Sequence, residues 1–164
     1  MTSDLPRPPI TLVLATEVLL GILFTVGLVA IALLPSFSAD AAVTLPEYAD
    51  LQVPLLTLAI VFTALGLLAL AVVALLVLRI HRGTMLERAS LRWVDGLVAT
   101  LGAAVVVIIV GFVVISEGQA GSPFLALVQV MACLTLVALA GITLVLRSLL
   151  SGAIVLRAEL DEVV

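Results

Sequence analysis

Four charged residues stand inside or at the edges of otherwise apolar runs: Glu17, Arg79, Asp95 and Arg147. An uncompensated charge within a bilayer is expensive, so such residues face a helix bundle or a wet cavity and pair. Two acids and two bases at similar depth are able to neutralise one another. Three arrangements are open: boundary markers with a single structural pair, a four-membered structural network, or a proton or ion path in which Glu17 titrates.

The other reactive side chains are sparse. His81 is the lone histidine and Cys133 the lone cysteine, and they fall at opposite depths of the chain, one beside the central arginines and one midway along an apolar run. No Ser/His/Asp or Cys/His set can be drawn from them, so no enzymatic activity is expected. One cysteine allows neither an intramolecular disulfide nor a multi-cysteine metal site. The acids Asp40, Glu47, Asp50 and Glu117 lack the spacing of a calcium loop and read as a solvated acidic face. No metal and no cofactor are expected.

The densest polar stretch is Arg79 to Asp95, RIHRGTMLERASLRWVD, with four of the seven basic residues (Arg79, Arg82, Arg88, Arg92) and the single tryptophan, Trp93. Long apolar runs flank it. That layout is a short cytoplasmic connection between two membrane helices, with arginines on the inner side and Trp93 at headgroup level. Thr84 and Glu87 have capping-box spacing, so the third helix is expected to start near Thr84 and run along the inner surface. Arg82, Arg88, Arg92 and Trp93 are the candidate contacts for acidic lipid headgroups, a cytosolic regulator or a membrane protein partner; the alternative is a topology signal alone.

The elements that position these residues follow from composition. With 64% hydrophobic and 11% charged residues and a mean hydropathy of +1.43, the chain lacks the roughly 25% charged surface of a soluble domain. A net charge of −4 argues against direct nucleic-acid binding. The absence of lysine and asparagine beside abundant alanine, glycine and arginine points to a GC-rich bacterial gene.

Residues 1–10 read as a cytoplasmic N-terminus. Four runs, about 11–34, 53–78, 94–115 and 124–146, each reach the roughly 20 residues needed to cross the hydrocarbon core. Pro35 is expected to close the first. A cleaved signal peptide, with Ala39-Asp40-Ala41 as the cleavage site, is the weaker reading, because the run is too long and holds Glu17. Thr44 and Glu47 have capping-box spacing ahead of a helical turn at Pro46 to Gln52. Pro123 suits the first turn of the fourth helix, and 147–164 is a cytoplasmic helical tail. The fold class is therefore an all-α membrane protein with four transmembrane helices in one domain, 11–146.

Two stripes on these helices collect small and weakly polar residues, as membrane packing seams do. On the fourth run these are Gln129, Cys133, Leu136, Ala140, Thr143, Arg147 and Ser151; on the third, Asp95, Ala99, Gly102 and Val106. Every arginine falls on one side when both termini are cytoplasmic, and the acidic connections fall on the other. The expected location is the bacterial cytoplasmic membrane, multi-pass, with N and C termini inside.

The residues RASLRWVDGL (88–97) and RAELDEVV (157–164) resemble the bacterial family grouped as domain of unknown function 2975. The resemblance implies a four-helix integral membrane protein with no assigned enzymatic activity, in a family whose genes often neighbour small helix-turn-helix regulators. It supplies no catalytic residues. The expected function is thus a non-enzymatic regulatory, sensor or accessory subunit working through the basic loop, with a homo-oligomer also open. The alternative is a small transporter or channel subunit with Glu17 as titrating group.

Overall fold

The computed structural model describes residues 10–81 and 88–162, with side chains over 11–79 and 91–154. Four helices account for almost all of it: α1 Ile10–Thr44, α2 Gln52–His81, α3 Arg88–Glu117 and α4 Pro123–Glu162. A short 3-10 helix, Pro46–Leu51, links α1 to α2. No strand occurs among the described residues. The helices have 35, 30, 30 and 40 residues. At 1.5 Å per residue the shortest measures about 45 Å, against a hydrocarbon thickness of about 30 Å, so every helix tilts or projects into the headgroups. All four are long and apolar enough to cross a membrane.

The helices pack in chain order: α1 on α2, α2 on α3, α3 on α4, with no extensive packing of α1 on α4 among the described residues. Burial follows that order. Leu67 and Val72 of α2 and Val94, Thr100, Ala104 and Ile115 of α3 are buried, whereas α1, apart from buried Val13, and α4 flank them with large exposed apolar faces. Those faces meet lipid, where an exposed leucine or valine is the ordinary surface residue.

Pro35 does not end α1, which continues to Thr44. Proline removes one helical hydrogen bond and breaks exposed helices in water. Here the residues beyond it have a packing role: Phe37, Ser38, Ala41 and Ala42 line a cleft shared with the 3-10 helix and α2. The Thr44–Glu47 capping box is likewise not formed. Thr44 is still helical, and its hydroxyl donates back to the Asp40 carbonyl at 2.9 Å; the 3-10 helix starts without a side-chain cap.

The turn between α3 and α4 is built from complementary terminators. Gln119 has φ 52°, its N–H bonds to Ser116 O and that of Ala120 bonds to Ile115 O, the pairing of a Schellman motif. Ile115 and Ala120 are both buried, supplying its apolar contact. Ser122 then caps α4, accepting the Leu125 N–H at 3.2 Å, with Pro123 in the first turn as expected. Tyr48 fastens this turn to the other connection by donating to the Ala120 carbonyl at 2.5 Å, and Leu51 packs directly on Gly118.

Gly27 marks the closest approach of α1 to α2, since a Cβ there would lie 2.5 Å from Leu67 Cδ2. Leu67 is buried and has little room to retreat. Gly27→Val is expected to weaken α1–α2 packing by about 1–3 kcal/mol, the usual range for overpacking. Adding Leu67→Ala should recover part of the loss. Thermal unfolding of the four combinations in detergent checks this, and additive losses would mean that the two residues do not set the interface.

Candidate functional site

The basic end of the helices gathers the charges. Two residues along a helix turn the side chain through about 200°, so Trp93 and Asp95 leave α3 in opposite directions, with buried Val94 between them. Trp93 meets α2: the Arg79 guanidinium lies 5.9 Å from its ring centroid, within cation–π range. Asp95 meets α4: Arg147 donates from Nη2 to Oδ2 at 3.1 Å, and its Nε pairs with Oδ1. One charge-assisted hydrogen bond and one close ion contact thus join the two side chains. Both side chains are about half exposed, 43% for Arg147 and 48% for Asp95.

Glu17 stands apart from these ties. It is half-buried on α1 and makes no ion pair or hydrogen bond among the described residues. The Gly27–Leu67 contact fixes the antiparallel register, which puts Glu17 level with Val77 and hence close in depth to Arg79. The structure thus places the four charges at one end, and of these it pairs Asp95 with Arg147 among the described residues.

Arg92 is exposed and lines a groove of about 570 Å³ between α2 and α3 with Leu68, Val72, Trp93, Gly96 and Thr100. Arg88 opens α3 but its side chain, like that of His81, lies outside the described set. Arg82 and the Thr84–Glu87 capping box also lie outside the described residues. At the opposite end, Asp40, Glu47, Asp50 and Glu117 are all exposed, and no three potential metal ligands converge among the described residues.

The two stripes fare differently. Gln129, Cys133, Leu136, Ala140, Thr143, Arg147 and Ser151 are all partly covered, on a helix whose other positions are largely exposed. On α3, by contrast, Ala99, Gly102 and Val106 are exposed, and the buried face runs through Val94, Thr100, Ala104 and Ile115. Small size does not select a face here. Thr100 enters the seam because its hydroxyl is already satisfied by the Gly96 carbonyl at 2.8 Å. Sequence reasoning missed the Arg79–Trp93 contact and the Tyr48 tie; an aromatic one helix end away from an arginine across a short loop was the available signal for the first.

Residues 36–164 match the family described as Protein of unknown function (DUF2975). The chain belongs to this family. The DUF2975 match starts within α1, after its first apolar run, so it takes in Arg79, Trp93, Asp95 and Arg147 and leaves Glu17 outside. No curated protein and no solved structure matches the chain.

If Asp95 and Arg147 hold α3 to α4, Asp95→Asn and Arg147→Gln should lower the apparent melting temperature by similar amounts, and the double variant by little more than either. The exchange Asp95→Arg with Arg147→Asp should restore most of the loss. Additive losses with no rescue would show that the two side chains are not partners.

Proposed function

We propose that this protein is a non-enzymatic regulatory, sensor or accessory subunit of the bacterial cytoplasmic membrane, with both termini inside, which presents Arg82, Arg88 and Arg92 to an acidic surface of a cytosolic or membrane partner. The observation that supports this most is the division of the arginines. Arg79 and Arg147 are engaged within the bundle by Trp93 and Asp95, while Arg92 is turned outward. The Arg79–Trp93 contact ties the end of α2 to the start of α3, the two helix ends that flank the loop, and Asp95–Arg147 ties α3 in turn to α4. Charges presented to a partner contribute to specificity and to encounter rate more than to affinity.

The test is a mild-detergent pull-down of the tagged protein from its host beside a variant with Arg82, Arg88 and Arg92 changed to alanine. A stoichiometric partner recovered with the native chain and lost from the variant, with insertion unchanged, is the expected result. Retention of the partner would reduce the loop to a topology signal.

A second reading rests on Glu17, a half-buried carboxylate in a membrane helix without a partner among the described residues. Such groups mark proton and ion routes in membrane proteins. A transporter or channel subunit working through Glu17 should show proteoliposome flux abolished by Glu17→Gln. Flux that is absent, or unchanged in the variant, removes this reading.

A further inference from the structure

We propose that the groove between α2 and α3 at the basic end holds one anionic phospholipid, its phosphate on Arg92 and an acyl chain running along Leu68, Val72, Gly96 and Thr100. The site rests on the reading above that Arg92 is a contact residue, and extends it to a second occupant. Arg92, Gly96 and Thr100 succeed one another at four-residue spacing, so they share a face of α3. Trp93 forms the side wall, kept in place by Arg79 on α2.

The lining has the polarity of a lipid. Arg92 is the charged group of the groove and makes no ion pair among the described residues; Asp95, one turn on, is occupied by Arg147. Beyond Arg92 the walls are apolar. Thr100 does not spoil this, because its hydroxyl is spent on the Gly96 carbonyl. The floor is solid, with Val72 6% and Thr100 7% exposed. Gly96 leaves the groove open, since a Cβ there would meet nothing within 4 Å.

Dimensions agree with that occupant. From Arg92 to Thr100 is eight positions, or about 12 Å of helix rise, which runs from the headgroup level most of the way through one leaflet's hydrocarbon, about half of a 30 Å core. The groove's 570 Å³ lies within the roughly 300–1,000 Å³ of small-molecule sites. An anionic headgroup at the mouth and a chain within it satisfy both ends at once, whereas a free anion would leave the apolar part unfilled.

The test is native mass spectrometry of the full-length protein in mild detergent, equilibrated with equal amounts of phosphatidylglycerol and phosphatidylcholine carrying identical chains. One retained phosphatidylglycerol, preferred by roughly fivefold, is expected from a single arginine–headgroup interaction. Arg92→Gln should bring the preference close to even. Gly96→Leu, which fills the groove and suits a helix better than glycine, should cut retention of both lipids several-fold. Equal retention of the two lipids by the native chain overturns the proposal, and so does undiminished retention in Gly96→Leu. Displacement of the lipid by excess inorganic phosphate would assign Arg92 to a free anion instead. Gly96→Leu leaves every loop arginine in place, so failure of this site and failure of partner docking are separable.

Discussion

The structure depends first on the hydrogen bonding of its own backbone. A chain this poor in polar side chains, placed in hydrocarbon, must satisfy every N–H and C=O internally, and a helix does so within one segment. That constraint makes the four apolar runs helical and lets α1 carry Pro35 in its interior. It also explains the hydroxyls. Thr16, Thr25, Thr57, Thr63, Thr100, Thr135 and Thr143 each donate to a carbonyl four residues back, so they present little unmet polarity to lipid or to a neighbouring helix.

With the backbone closed on itself and lipid on the outside, apolar burial does little to choose neighbours, and specific contacts decide the packing. They lie at three levels. At the acidic end Tyr48 and the close Leu51–Gly118 contact lock the two connections together. In the middle Gly27 admits Leu67. At the basic end α3 is held from both sides, by Arg79 on Trp93 and by Arg147 on Asp95. The result is a row in chain order in which α2 and α3 hold most of the buried side chains and α1 and α4 are flanks.

What the sequence made legible follows from the same physics. Run length and the roughly 20-residue requirement are enough for four helices, and Pro123 is enough for the start of α4. The polar stripe of α4 was legible because Arg147 and Gln129 cannot face lipid cheaply. The α3 stripe was not: on a helix apolar nearly all round, Ala99 and Gly102 carry no penalty for facing out, and the choice of seam is made by shape across the interface. Pro35 misleads because local propensity favours a stop there while packing beyond it favours continuation. The pairing of Asp95 with Arg147, rather than with Arg79, turns on rotation about α3, which periodicity gives only after the neighbours on each side are known.

The proposed docking role of the loop requires charge to be segregated across the membrane, with the Arg79–Asp95 connection on the cytoplasmic side and the acidic connections on the other. Cysteine accessibility in intact cells tests it most directly. In a background with Cys133→Ser, single cysteines at Gly83 and at Glu117 would be treated with a membrane-impermeant maleimide. Labelling of the cysteine replacing Glu117 in intact cells, with the one replacing Gly83 labelled only after permeabilisation, is the predicted result; the reverse pattern would contradict the orientation and with it the role assigned to the loop.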